Sequence, residues 1–239
     1  MQEILKYIRK ADDDFNLIED NDVLVLGVSG GKDSVVLLHA LSLYQKFKEK
    51  HFKLIAIHMN MGFDNVSIDT IKQYASSLNV PFHSIDVPIY EILKHYKKDD
   101  GSLDCARCSN LKRGAIVNIA KEMNANKVVF AHHADDAIET LVLNAIHSAR
   151  LDTFMPKISY EDNEIDFIRP MVYVSEQKII QITKKLNIPT CKSGCANDGN
   201  TKRAEIKQLL ATLYKTNPQA RNNLLKCLKK PSHLWNNFQ

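Results

Sequence analysis

The sequence predicts an α/β fold, a parallel doubly wound sheet with a helical C-terminal extension. Short β-rich runs alternate with helical patterns through the first part of the chain. The first of those runs ends in a glycine-rich turn that opens a helix, and beyond about residue 150 the alternation gives way to helices crowded with Lys and Arg. Alternation of this kind needs helical crossovers, which cover both faces of a parallel sheet.

The N-terminal stretch "QEILKYIRKADDDFNLIEDND" has the pattern of a helix that leads into the first strand, with Asn21 or Asp22 at the turn. "DVLVLGV" (22–28), "KLIAIHM" (53–59), "FHSIDV" (82–87) and "KVVFAHH" (127–133) are rich in β-branched residues and predict strands. Helical patterns over 33–47, 66–78 and 109–123 lie between them, and another helix begins in "ADDAIETLVLNAI". Then come a short strand in "IDFIRP", a turn around Pro170 and a helix over 175–186, followed by helices over 202–214 and 218–228. The expected divisions are an N-terminal helix (1–20), a nucleotide-handling domain (21–190) and a basic helical segment (191–239).

Composition narrows the function classes. With 239 residues, 44% apolar and 25% charged, the chain can bury one or two cores without crosslinks. No repeat or low-complexity tract is present, which excludes solenoids and fibrous proteins. No apolar run approaches the ~18 residues of a membrane span, and the first residues are charged throughout, so the expected location is the cytoplasm. In that compartment five cysteines suit metal, redox or packing roles better than disulfides. The net charge of +4 is uneven: Lys202, Arg203, Lys207, Lys215, Arg221, Lys226, Lys229 and Lys230 face the single acid Glu205 in the tail. Such a block attracts polyanions such as RNA, and a solvated face that serves solubility has the same composition.

The turn after the first strand reads Ser29-Gly30-Gly31-Lys32-Asp33-Ser34. Adjacent glycines let backbone approach a phosphate, and the helix start beyond them offers free amides and the positive end of its dipole. The stretch fits neither G-x-x-x-x-G-K-[ST], which needs a hydroxyl where Asp33 stands, nor G-x-G-x-x-G. In an open sheet a ligand lies beyond the carboxyl ends of the strands. His58, Asn60 and Met61, at the end of the second strand, are therefore candidates for base and ribose contacts as well as for ordinary packing. In "AHHADDAIET" the acids suit a helix start. His133, Asp136 and Glu139 or Thr140 would also face the same crevice, where carboxylates could hold magnesium against a triphosphate.

Cys105 and Cys108 form a C-x-x-C pair that follows the loop "KKDDGSLD" rather than an early strand, which argues against a thioredoxin-like redox pair. Three readings stay open from the residues: a zinc site of Cys105, Cys108, Cys191 and Cys195, an iron–sulfur cluster, or inert thiols. Cys227 reads as a core residue of its helix.

The turn resembles the PP-loop, S-G-G-x-D-S, of ATP pyrophosphatases. Together with H-H-x-D-D-x-x-E-T, "ADDDFNLIEDND", "IRPMVYV", the segment from Cys195 to Arg203 and "PSHL" at 231–234, nearly the whole chain resembles the tRNA 2-thiocytidine synthetase (TtcA) family. The resemblance implies the adenine nucleotide alpha hydrolase-like, Rossmann-like variant of the fold and cleavage of ATP to AMP and pyrophosphate. It implies that Ser29, Gly30, Gly31, Lys32, Asp33, Ser34, His58, Asn60, His133 and Asp136 hold the nucleotide, with Asp33 and Asp136 on magnesium. It implies further that Lys32, Asp33 and the cysteines carry the catalysis, with a [4Fe-4S] cluster on Cys105, Cys108 and one later cysteine. The register C-x-x-x-x-N-x-x-R, met by Asn200 and Arg203, selects Cys195. The family usually carries C-x-x-C at that point, whereas Cys191 and Cys195 stand four apart. Three ligands leave one iron open for sulfide, which would displace AMP from an adenylated base carbonyl.

The implied partners are tRNA and a sulfur donor, a cysteine desulfurase or sulfide itself. No membrane is implied, and a homodimer is compatible with the sequence. The expected substrate is the anticodon-loop cytidine at position 32. The lysidine-forming branch needs no cysteine pair, and the 2-thiouridine branch carries terminal cysteine clusters that are absent here. A zinc-stabilised RNA-binding or nucleotide-sensing module would leave the PP-loop without a reaction. Arg107, Lys112, Arg113 and the basic helices are candidate phosphate contacts.

Overall fold

In the first strand, β1 (Val23–Gly27), Leu24, Val25 and Leu26 are fully buried, as a central strand of a two-faced sheet requires. The computed structural model describes residues 1–47, 50–63, 67–97, 101–160, 163–191, 194–195, 199 and 201–229. β2 (Lys53–Asn60) and β4 (Lys127–Val129) flank β1 in parallel, so that Val25 pairs with Ile55 on one side and Val128 on the other. β3 (Phe82–Asp86) joins β2, and β6 (Asn163–Ile168) joins β4, both in parallel. β5 (Lys157–Tyr160) closes the edge, giving the order β3-β2-β1-β4-β6-β5. It runs antiparallel to β6, an antiparallel edge on the otherwise parallel sheet that the sequence predicted. The sequence showed one strand in this region because β5 and β6 are a hairpin whose first arm, "KISY", is short and half polar. The chain leaves β1 toward β2 and later returns to its other side at β4, which creates the switch-point crevice of an open α/β sheet.

The helix α1 (Gln2–Phe15) buries Ile4, Ile8 and Ala11 at helical spacing and stops at Asn16, whose φ of 46° is left-handed. It therefore ends well before the first strand. Asn21, with φ 66°, makes the turn into β1, as the sequence suggested. Asp22 then meets Lys127, a lysine only 2% exposed, at 2.7 Å, and the same ammonium donates to the Leu17 carbonyl. A buried lysine at the start of β4 is thus paired and satisfied.

α2 (Lys32–Phe47) follows β1, α3 (Asp69–Ser77) follows β2, and α4 (Ile89–Lys94), which the sequence did not announce, follows β3. Val66, the expected start of α3, lies outside the described residues. α5 (Cys105–Glu122) lays Ile116, Ile119 and Ala120 on Val25, Ile57, Val128 and Phe167 of the sheet. β4 ends at Val129, four residues before the expected end, and only the Phe130 amide continues its pairing, to the Ile168 carbonyl. α7 (Glu176–Lys185) starts at its cap Ser175 and ends at Leu186, within a residue of the expected bounds.

The chain divides into two compact units, Met1–His133 with Met155–Asp198, and Ala134–Phe154 with Gly199–Gln239. The first holds the whole sheet. In the second, α6 (Ala134–Ser148), α8 (Lys202–Thr216) and α9 (Ala220–Cys227) meet around Ile138, Ile206 and Leu210. Among the described residues no helix is long and apolar enough to cross a membrane.

Candidate functional site

The loop between β1 and α2 is built by its own side chains. Ser34 Oγ donates to the Gly31 carbonyl at 2.9 Å, and the Gly31 amide donates to Ser29 Oγ at 3.3 Å. Gly30 adopts φ 89°, a conformation that only glycine reaches without strain, and it turns the chain into the helix. Lys32 then stands at the helix start between two carboxylates, 3.1 Å from Asp33 and 3.0 Å from Glu176 of α7. Burial pulls this ammonium down, but Asp33 and Glu176 outweigh burial and hold it above the usual lysine value. Asp33 Oδ1 is buried and accepts no hydrogen bond, although Lys32 and, at 3.7 Å, His133 Nε2 face it. A buried carboxylate oxygen that accepts no hydrogen bond is suited to a hard cation.

A cavity of about 480 Å³ opens beside this loop. Gly27, Ser29 and Gly31 floor it, His58, Asn60 and Met61 line it from the end of β2, and Lys112 and Ile116 of α5 form a wall. His58 Nδ1 lies 2.9 Å from the Val28 carbonyl, which fixes the ring against the loop. Asn60 donates to Asp86 and accepts from the Gly62 amide, so its side chain is held by the strand-end turn. Of the residues expected to hold the nucleotide, Ser29, Gly31, His58 and Asn60 share this one cavity. Ser34 and Asp33 brace the adjoining loop.

The C-x-x-C pair is not in a loop before its helix; it forms the first turn of α5. Asp104 caps that turn, accepting from the amides of Ala106 at 2.9 Å and Arg107 at 3.1 Å, so the helix begins at Cys105 and not at Ser109. Cys108, Lys112 and Ile116 then recur at intervals of four and share one helix face. That face carries the chain from the cysteine pair directly to the cavity wall. Cys108 and Cys195 pack on the same apolar cluster of Ile89, Leu93 and Leu103. Burial pushes the Cys108 thiol up, and Cys195 and Cys105 push it further, while Lys112 opposes them. Cys195 thus packs on the same cluster as Cys108 from a distant segment, and Lys112, one turn beyond Cys108, lines the cavity. Arg107 stacks on Tyr96 beside them, 3.9 Å from the ring centre.

None of the five cysteines is in a disulfide. Cys191 packs on Gly30, donating its amide to the Gly30 carbonyl at 2.9 Å. Among the described residues no three His, Cys, Asp or Glu side chains stand close enough to hold a single metal ion. Cys227 is exposed at the end of α9 rather than in a core, because the apolar side of that helix is supplied by Leu224, Leu225 and Leu228.

In the second unit the acidic start of α6 is taken up by arginines of the basic tail. Arg221 makes a two-point pair with Asp135, at 2.6 and 2.9 Å. Arg203 donates to Thr140 at 3.0 Å and approaches Asp136 at 3.6 Å and Glu139 at 3.8 Å. Two of the eight basic residues expected to face a polyanion are thus internal partners. Lys202, Lys207, Lys215, Lys226 and Lys229 are exposed, whereas Lys230, Asn200 and 231–234 lie outside the described residues. The roles of Glu176 and Cys191 were missed in the sequence. Lys112 was read as a phosphate contact, and its spacing of four from Cys108 is the signal that places it at the cavity.

Residues 2–213 match a PP-loop domain family model. A protein of Pelobacter propionicus named tRNA-cytidine(32) 2-sulfurtransferase is 34% identical over 231 residues, covering 95% of this chain and 86% of the relative. One of the same name from Anaeromyxobacter dehalogenans is 32% identical, covering 98% and 81%. Among solved structures, the U34-tRNA thiolase NcsA of Methanococcus maripaludis, determined with its [4Fe-4S] cluster, superposes with a TM-score of 0.78 at 19% identity. It covers 95% of this chain and 77% of its own, a likeness of fold.

Proposed function

Because the chain belongs to the tRNA-cytidine(32) 2-sulfurtransferase family of PP-loop proteins, we propose that it converts a tRNA cytidine to 2-thiocytidine at the expense of ATP. The observation that carries this reading is the continuity along α5, where one helix face runs from Cys108 through Lys112 to Ile116 in the wall of the loop cavity. Activation and sulfur delivery need such adjacency, since both act on the same carbon of one base.

The start of α2 offers amides to the phosphates, and Lys32 supplies the positive charge that stabilises the pentacovalent phosphorus. Glu176 and Asp33 keep that ammonium protonated and in place. The cytidine O2 attacks the α-phosphorus, the bond to the β-phosphate oxygen breaks, and pyrophosphate leaves. An oxygen that was a poor leaving group becomes part of AMP. Sulfide then adds at C2 and AMP departs with the original oxygen. Asp33 Oδ1 suits a magnesium ion, which when bound would offset phosphate charge.

Cys105, Cys108 and Cys195 would hold the iron–sulfur cluster. Thiolates are the natural ligands of such a cluster, and Cys195 packs on the same apolar residues as Cys108. When bound, the cluster would supply the sulfur-delivering chemistry. A cysteine desulfurase or free sulfide would supply the sulfur. The base must be unpaired to enter the cavity, as in an anticodon loop in the cytoplasm. Lys112 at the cavity wall and the Arg107–Tyr96 stack are placed to meet the phosphate and the face of an adjacent nucleotide.

The test is mass spectrometry of tRNA nucleosides from cells with the gene deleted. Loss of 2-thiocytidine, restored by the native gene and not by Cys108→Ser, is expected. An unchanged 2-thiocytidine level would overturn the substrate assignment.

A further inference from the structure

Cys191 is the one cysteine of the later segment that the proposed reaction does not use, and its surroundings are specific. Its Sγ occupies the space that a side chain on residue 30 would need. Its amide donates to the Gly30 carbonyl at 2.9 Å, and its side chain lines the cavity together with Ser29 and Gly31. The two contacts act on one peptide unit. In a trans peptide the carbonyl and the following amide point opposite ways. Holding the Gly30 carbonyl toward Cys191 therefore turns the Gly31 amide to the other side, where Ser29 Oγ meets it at 3.3 Å. The thiol resting on Gly30 fills the remaining space, so the residue cannot relax toward it.

We infer that Cys191 is a positioning residue for the nucleotide half of the reaction, setting the Gly30–Gly31 peptide from outside the loop, and is not a ligand of the metal site. The inference rests on reading the cavity as an ATP site. It explains why two cysteines four residues apart part company: Cys195 packs beside Cys108, while Cys191 belongs to the phosphate loop. Burial also pushes the Cys191 thiol up from its ordinary value.

The experiment uses the full chain, reconstituted anaerobically with iron and sulfide, as native protein and as Cys191→Ala, Cys191→Ser and Cys195→Ser. Iron per chain and the Kd for ATP, by calorimetry, are measured separately. Both Cys191 variants should keep native iron content. The alanine variant should bind ATP about fivefold more weakly, through lost contacts on Gly30, and serine should restore the affinity to within about twofold. Cys195→Ser should lose iron. Iron loss in Cys191→Ser, which needs no folded alanine variant to be read, would overturn the inference, as would unchanged ATP affinity in Cys191→Ala. If the native protein takes up neither iron nor ATP, the proposed function itself fails. If Cys195→Ser keeps its iron along with both Cys191 variants, the ligand set fails while the role of Cys191 stands.

Discussion

Gly30→Ala should nearly abolish ATP binding while leaving the sheet intact. Residue 30 sits at φ 89°, and forcing an L side chain into a left-handed conformation costs about 1–2 kcal/mol. The new methyl group would enter the space of Cys191 Sγ and come within 3.4 Å of Ile71 Cδ1. Turning Cys191 off its rotamer adds about 1 kcal/mol. The loop can avoid this total of about 2–3 kcal/mol only by leaving the shape that binds phosphate, so ATP affinity should fall roughly 30- to 150-fold. Adding Cys191→Gly removes the thiol but not the φ strain, and about fivefold of the loss should return. Calorimetric titration with ATP reads both variants, with far-UV circular dichroism as the check on the fold. A Gly30→Ala protein that binds ATP within about threefold of native would refute the reasoning.

The second unit gives two further tests. Arg221→Ala breaks the two-point pair with the half-buried Asp135 and should lower stability by about 1–2 kcal/mol in a denaturant titration. Lys202→Ala and Lys226→Ala, both at exposed positions, should leave stability unchanged, weaken tRNA binding and each reduce its log–log salt slope by about 1. Equal effects of the arginine and lysine variants on stability would contradict this division of the basic tail. Burial, with help from Asp135, pushes Tyr214 up to about 12. The raised value means that the folded state favours the neutral phenol. Its contribution is complete below pH ~10 and is lost as pH rises toward 12. Tyr214→Phe should flatten stability over that window, and an unchanged alkaline slope would show the phenol to be irrelevant.

Much of the fold was legible because its determinants are local. The runs that became β1 to β4 show their burial in sequence, and Asn21 announces its turn. The antiparallel β5 was not legible because its place depends on an edge register, and "KISY" carries no strong strand signal. α5 shows a signal that went unread: Asp104 is a good cap, and taking it as one moves the cysteine pair from a loop onto a helix, with Lys112 and Ile116 below it. The loop from Ser29 to Ser34 could be recognised from spacing alone, since its turn is closed by its own side chains. Glu176 and Cys191 could not, because both reach the loop from more than a hundred residues away, and only packing decides their place. For the same reason Arg203 and Arg221 read as free basic charge, although their acidic partners stand on α6.

The central claim is that ATP activation and sulfur transfer act on one cytidine at one joined site. The most direct measurement is nucleoside mass spectrometry after incubating the anaerobically reconstituted protein with unmodified tRNA, ATP and sulfide, with AMP quantified alongside. The account predicts 2-thiocytidine and AMP in equal amounts, with neither formed by Gly30→Ala and no 2-thiocytidine formed by Cys108→Ser. A product containing 2-thiouridine or lysidine, or 2-thiocytidine formed without ATP, would contradict it.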